Sequence, residues 1–491
     1  MLTEIENILL QIDRFLVFPD EEWSLCSFPF LVAFIIFYAI YIGVSHTGRK
    51  ATLTYVTAFS LFFAWKANGL LMFLLPATAL FSWWATRRMM AHWHHRRLRL
   101  ALIIIVDLLP LVYLKYTNFL MGIVNDIIGS NFGPVELFLP VGISFYTFQA
   151  ISYSFDVYRG TYTARTRLLD YLFYLTFFPL LMAGPITRAN VLLPQEREQR
   201  PGKPGMAYRG LWLIMLGLVK KGLIADYIAD YNNWIFDDPT AYSGFEDAMG
   251  VLGFTLQIYF DFSGYSDMAI GLAALMGYEL KDNFNFPYQS LNPQEFWHRW
   301  HIALSTWFRD YLYIPMGGNR CGMLRTCFNN FFVMLVAGLW HGASWMFVLW
   351  GAIHGVALVL HKICRRLFLD RIPDTVVVRV VCWIMMFVFV AFTWIFFRSR
   401  DLDTALALIN HIGSDFSLDY FVPFLCARPM WLVFVVVGLE LQSIRSDDCH
   451  WLQEEFVKLP WMVKFLIALV VIMLVVTFRQ DSVQPFIYQQ F

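Results

Sequence analysis

The sequence predicts an all-α, polytopic membrane protein with about eleven to thirteen membrane segments. Three observations carry this. Of 491 residues, 58% are hydrophobic and only 15% charged, where an ordinary globular chain is about 25% charged. Apolar runs approaching the ~20 residues that cross a bilayer recur along the whole length. These runs are continuous and do not alternate every second residue, so helices rather than barrel strands must satisfy the backbone in lipid. A net charge of zero points to no nucleic-acid partner. Seven cysteines without a CxxC pair suggest neither a metal centre nor a disulfide framework. One integral domain, residues 1–491, accounts for the chain.

In residues 1–25, Ile5, Ile8, Leu9, Ile12, Phe15 and Leu16 recur at helical spacing, with no basic start and no cleavage site. The segment reads as an interfacial amphipathic helix, not a signal. Basic loops, which stay cytoplasmic, orient the passages after it. Phe28–Val44 runs inward to "HTGRK". Leu53–Ala64 and Leu70–Trp84 go out and return to "RRMMAHWHHRRLR", whose clustered histidines read as part of a charged loop. Leu100–Phe119 goes out, and Leu139–Tyr153 returns to "YRGTYTARTR". "YLFYLTFFPLLMAG" is short, has basic flanks, and is followed by Pro185. It reads as a broken or re-entrant element, tolerated only inside protein or beside a wet cavity.

Leu211–Ile228 goes out, with Lys220 and Lys221 snorkelling or facing a cavity. The return passage carries Asp261 and Asp267, with Gly264 as a potential break between them and structural hydrogen bonding as their expected role. The polar, aromatic stretch from Lys281 to Arg325 reads as helices and turns packed at, or dipping into, the cytoplasmic face. Phe328–Trp340 rises and Ser344–Leu360 descends. Val376–Phe397, Trp431–Leu441 and Trp461–Phe478 complete the set.

Two imidazoles stand out. His341, in "VAGLWHGASWMFVLWG", lies about 13 residues beyond Phe328, or ~20 Å of helical rise, past the middle of a ~30 Å core. Ionisable residues at that depth face a cavity or a partner, and are functional by default. Gly338, Gly342 and Ala343 strip bulk from around it, as the approach of a reacting group requires, and burial favours the neutral imidazole that a general base must be. His301 shares a helical face with Trp297, Trp300, Ser305 and Phe308. The plain alternatives are a histidine bonded between helices at 341 and an interfacial aromatic belt around 301. No phosphate-binding loop, zinc-binding HExxH or GxSxG nucleophile elbow is present.

The segments "LPVGISFYTFQAISYSFDVYRG", "FFPLLMAGPITR", "YFDFSGYSDMAIGLAALMGYEL", "NFNFPYQSLNPQEFWHRWHIALSTWFRDYLYIPMGGNR" and "LWHGASWMFVLWGAIHG" occur in this order. As a set they resemble the membrane-bound O-acyltransferase (MBOAT) superfamily, in its alginate O-acetyltransferase-like branch of bacterial polysaccharide O-acetylases. The likeness is strongest over residues 139–355, and the closing "PFIYQQF" shares it. It implies tilted helices around a central funnel or tunnel, with His341 catalytic and His301 the second functional position. His298 stands where that branch usually has an arginine, so no role is carried to it.

On this resemblance, an acyl thioester donor, acetyl-CoA above all, meets the hydroxyl of an extracytoplasmic cell-envelope polysaccharide within the membrane. His341 takes the hydroxyl proton, a step that contributes roughly 10²–10⁴-fold. His301, or donors near Ser305 and Asn319, would stabilise the oxyanion or position the donor. Arg299, Arg309 and Arg320 are expected towards the cytoplasmic face, where they could meet donor phosphates, and Trp300 and Trp340 complete the expected substrate contacts. No permanently bound cofactor and no metal are expected. The expected partners are membrane lipids and an extracytoplasmic acetyl-handling protein, in a bacterial inner membrane. A proton-coupled transporter or flippase, and a non-catalytic scaffold, are the competing classes.

Overall fold

The computed structural model describes residues 23–91, 94–162, 166–197 and 205–478. Most of the expected interfacial segment, His92 of the histidine cluster and the closing "PFIYQQF" therefore lie outside the described residues. What is described is helical, with no strand among the described residues. The chain divides into two compact units. One covers the described residues of Met1–Lys203 together with Met276–Leu280, and the other those of Pro204–Leu275 and Lys281–Phe491.

The first unit holds α1 (Phe28–Ser45), α2 (Arg49–Asn68), α3 (Leu74–Ala91), α4 (Arg96–Ile128), α5 (Ile143–Arg159), α6 (Leu168–Thr176), α7 (Phe178–Leu181) and α8 (Ala189–Arg197). Helix α1 starts where Ser27 Oγ accepts from the Phe30 amide and Pro29 occupies the first turn, where its missing N–H costs nothing. The short run expected to be broken is broken. Phe177, at φ −51° and ψ 106°, separates α6 from α7, and from Tyr171 to Gly184 every residue but Leu172 is buried. Its charges are matched, since Arg49 pairs with Asp170 at 2.8 Å and with Glu196.

The second unit holds α9 (Met206–Leu218), α10 (Asp226–Asp237), α11 (Gly244–Leu275), α12 (Pro293–Arg299), α13 (Ile302–Phe308), α14 (Met323–His341), α15 (Trp345–Leu367), α16 (Val376–Arg398), α17 (Leu402–Ser414), α18 (Phe421–Ala427), α19 (Pro429–Ser443), α20 (Ser446–Lys458) and α21 (Trp461–Thr477). A wide π-helical turn, Val219–Ala225, joins α9 to α10. Helices α9 and α11 pack through glycines two turns apart on each, so their backbones nearly touch. A methyl on Gly210 would stand 2.7 Å from the Gly271 carbonyl oxygen, and one on Gly271 would stand 2.6 Å from that of Gly210. Gly217 and Gly264 repeat the arrangement at 2.5 and 2.8 Å. Small residues at helix interfaces are how membrane helices gain contact when lipid offers no hydrophobic drive.

Gly264 thus serves packing. The break expected at it is not there, and α11 runs unbroken through Asp261 and Asp267. Both carboxylates are ion-paired. Lys220 Nζ lies 2.6 Å from Asp267 Oδ2, and Lys221 bridges Asp226, at 2.7 Å, and Asp261. Of the two expectations for the lysines, snorkelling or facing a cavity, snorkelling is not what is found: they are held inside the protein, with side chains 15% and 5% exposed.

Four helical stretches are long and apolar enough to cross a bilayer: Arg49–Ala91, Met323–His341, Trp345–Leu367 and Val376–Arg398. A fifth is counted if the pair Leu418–Ala427 and Pro429–Ser443, bent by 103°, forms one span. The protein is therefore a multi-pass membrane protein. Others of the expected passages are helices interrupted by polar groups, such as α4 with Asp107 and Pro110 or α11 with its aspartates.

Candidate active site

The local sequence fixes where His341 stands. Helix α14 ends on it, Gly342 is extended at φ −158° and ψ 153°, and Ser344 Oγ accepts from the Met346 amide to start α15. The helix begins at Met323, earlier than the apolar run, so His341 lies about 27 Å of rise from its start, at the turn of a helical hairpin rather than mid-helix. The glycines around it also differ from expectation. A methyl on Gly338 would collide with the Phe347 carbonyl, and one on Gly342 with the Phe347 ring. The space expected for a reacting group is used by α15 to pack on α14.

The His341 ring is 3% exposed. It meets Trp340, Trp350 and Phe397 edge-on, at 5.0, 5.2 and 5.3 Å between ring centroids. An aromatic cage surrounds it.

His301 arrives differently. The single amphipathic helix expected through Trp297, His301 and Phe308 is broken at Trp300 and His301. Trp300 is extended, and His301 is left-handed at φ 42° and ψ 56°, a conformation that strains any residue with a Cβ. An irregular segment, residues 283–285, takes over the lost helical hydrogen bonds. The Ile302 amide donates to the Asn283 carbonyl at 2.8 Å, and the Asn285 amide to the Arg299 carbonyl at 2.9 Å. Upstream, the Asn292 side chain accepts from the Glu295 amide, and Glu295 accepts from the Leu291 amide, a reciprocal cap that starts α12 beside Pro293.

Asn283 also decides the His301 tautomer. Its Nδ2 donates to Ser266 Oγ at 3.1 Å, while its Oδ1 accepts from the Ala303 amide at 3.1 Å. An oxygen that is already an acceptor, 3.1 Å from His301 Nδ1, requires the imidazole to donate there. In the neutral ring Nε2 then carries the lone pair. That nitrogen is buried and has no hydrogen-bond partner among the described residues. His301 lies outside the spanning helices, and burial holds its pKa below the ordinary histidine range, in the neutral form. The oxyanion-donor role expected for it needs an N–H at Nε2. This tautomer offers an acceptor instead.

Trp340 is the wall between the two histidines, 6.3 Å from the His301 ring and 5.0 Å from that of His341. Trp300 joins the cage through Trp394, at 5.0 Å, and Trp394 stacks on Trp350 at 5.8 Å. Ser305 bonds back to the Trp300 carbonyl at 3.3 Å. Arg309 is exposed and pairs with its neighbour Asp310, Arg299 pairs with Glu295, and Asn319 and Arg320 are exposed. The fully buried amide near that loop is Asn329, whose Nδ2 donates to the Gly318 carbonyl at 3.0 Å.

A third histidine, His354, is 0% exposed in the same cluster. Sequence reasoning passed over it, as it did Asn283 and Thr393. The signal for His354 was available: like His341, it is an imidazole inside an apolar helix.

Fold and site together define a class, the helical multi-pass membrane proteins with imidazoles buried at a helical hairpin. Comparison gives the family. A model described as MBOAT, membrane-bound O-acyltransferase family, matches residues 163–399. A protein of Azotobacter vinelandii named "Probable alginate O-acetylase AlgI" is 40% identical over 385 residues, covering 76% of this chain and 75% of that protein. Its namesake in Pseudomonas aeruginosa is 39% identical over 386 residues, 76% of this chain and 72% of the relative. A "Peptidoglycan O-acetyltransferase" of Helicobacter pylori is 37% identical over 347 residues, 64% of each chain. The chain belongs to the membrane-bound O-acyltransferase family.

Proposed function

We propose that this protein is an O-acyltransferase of the bacterial inner membrane. It moves an acetyl group from acetyl-CoA to a hydroxyl of an extracytoplasmic polysaccharide, or to a partner protein that then modifies the polymer. Family membership supports the reaction class. The observation that carries the site is that Trp340 holds two buried imidazoles one ring apart, one of them with a tautomer fixed by Asn283.

In the proposed step, the acceptor hydroxyl oxygen attacks the thioester carbonyl carbon. His341 removes the hydroxyl proton as the C–O bond forms, the C–S bond then breaks, and the proton passes from His341 to the departing thiolate. The products are an O-acetyl ester and the free thiol. His301 Nε2, an acceptor, would take a hydrogen bond from a neighbouring hydroxyl of the acceptor sugar and so hold the attacking one in line, rather than donate to the oxyanion. A buried cage suits this chemistry, because it limits the access of water that would compete for the thioester. It must part to load both substrates, as gated active sites do.

The test is transfer of labelled acetyl from acetyl-CoA to envelope polymer in membrane vesicles, wild type against His341→Ala. Catalysis requires the variant to insert normally and lose transfer by about 10²-fold or more. A pH-dependent flux of envelope precursor without ester formation would instead make the protein a transporter. Unchanged acetylation in the variant would make it a scaffold.

A further inference from the structure

We propose that His354 is a positioning residue that sets both His301 and His341; the inference rests on the acyltransferase reading for its consequence but not for its geometry. His354 Nε2 lies 3.1 Å from Thr393 Oγ1, and that hydroxyl donates its own proton to the Val390 carbonyl at 2.8 Å. Thr393 therefore accepts, Nε2 carries the imidazole proton, and Nδ1 holds the lone pair. Nδ1 is buried and has no hydrogen-bond partner among the described residues.

Three aromatic elements converge on this ring. From α12, Phe296 stacks parallel to it at 6.2 Å, and Trp297 meets it at 5.1 Å. Trp350, one turn earlier on α15, meets it at 4.8 Å, and Phe389 of α16 at 5.4 Å. Trp297 and Trp350 also touch each other, at 5.8 Å. Their indole Nε1 atoms are buried without an acceptor among the described residues. The triangle of rings thus carries one imidazole lone pair and two indole N–H groups, complementary in sign. None of the three is paired with another among the described residues, so the ring contacts themselves hold the triangle's geometry.

That geometry reaches the reacting histidines along two short paths. Trp350 forms a wall of the His341 cage. Trp297 sits on the last turn of α12, four residues before the left-handed His301. One imidazole, held by Thr393, therefore governs the base's wall and the approach to the break at once.

The test uses the full-length protein in nanodiscs with four variants: His354→Phe, which keeps a ring and removes both nitrogens, His354→Gln, Thr393→Val and Thr393→Ser. One readout is acetyl transfer from acetyl-CoA. The other, independent of activity, is the rate of diethyl pyrocarbonate labelling at His301 and His341, mapped by mass spectrometry.

A positioning role requires His354→Phe to stay folded, change labelling of at least one of the two histidines threefold or more, and lose kcat at least tenfold with KM for acetyl-CoA within twofold. Thr393→Val should follow it in part, and His354→Gln and Thr393→Ser should recover towards wild type. Wild-type labelling in His354→Phe overturns the proposal whatever the transfer rate, and so does wild-type kcat. If the wild type transfers no acetyl, the acyltransferase reading fails and the labelling alone decides the role of His354.

Discussion

Two polar regions lie inside the second unit, and they are built on opposite rules. Around the π-turn, Lys220 and Lys221 meet Asp267, Asp226 and Asp261 in ion pairs. Around the helical hairpin, His301 and His354 each spend one nitrogen on a fixed partner and keep the other buried and open. The first region is what a scaffold does with charge where water is scarce: it pairs it. The second retains hydrogen-bonding capacity that folding does not use, and such capacity inside a protein marks where a reactant or a relay is to be met.

If that contrast is right, the two regions should fail differently. The largest effect is expected at Asn283. Asn283→Leu removes the acceptor that fixes the His301 tautomer, and should lower kcat by about 10–10³-fold, less than the loss of the base itself. Thermal stability in detergent should fall far less than activity. Parallel losses of folded protein and activity would put His301 in the scaffold class.

Next comes the ion network. Lys220→Met leaves Asp267 buried and uncompensated, and should destabilise by about 3–5 kcal/mol, whereas Lys220→Met with Asp267→Leu should recover most of it. Denaturation midpoints of the two variants decide this, and specific activity per folded molecule should stay near wild type in both.

A pH effect sharpens the comparison further. Burial pushes the His301 pKa down to about 3, while an unfolded imidazole titrates near 6.5. Below pH 6.5 the unfolded chain binds a proton that the folded one refuses, so stability falls with pH, by up to about 1.4 kcal/mol per unit. Above 6.5 the term vanishes. The difference between wild type and His301→Leu, measured at pH 7.5, 6.5 and 5.5, should shrink as the pH drops. A constant difference would mean that the imidazole is charged or solvated in the native state.

The smallest expected effect is at the glycine contact beside the ion pairs. Gly217→Ala forces a methyl against the Gly264 carbonyl and Met268, and should cost about 1–3 kcal/mol without touching kcat.

The helical, multi-pass character was legible because hydropathy is summed over whole segments, and the burial of His341 was legible because it stands in an apolar run. The break at Trp300–His301 was not, since neither Gly nor Pro announces it. It is made by Asn283, 18 residues upstream of His301, which reads locally as a loop polar residue. The glycines near His341 were visible, but their use was not. Whether a missing side chain leaves room for a ligand or for a neighbouring helix depends on what packs there, and here that is Phe347. The lysine and aspartate pairs were visible singly, and only the packing of α9 on α11 joins them.

The left-handed backbone at His301 sets a limit on engineering. Glycine adopts that conformation without strain, but here it would also empty the place of a fully buried ring, and such a cavity costs more than the backbone strain it relieves. Changes at this position therefore have to keep a flat ring of similar size, and the strained backbone is carried along with it.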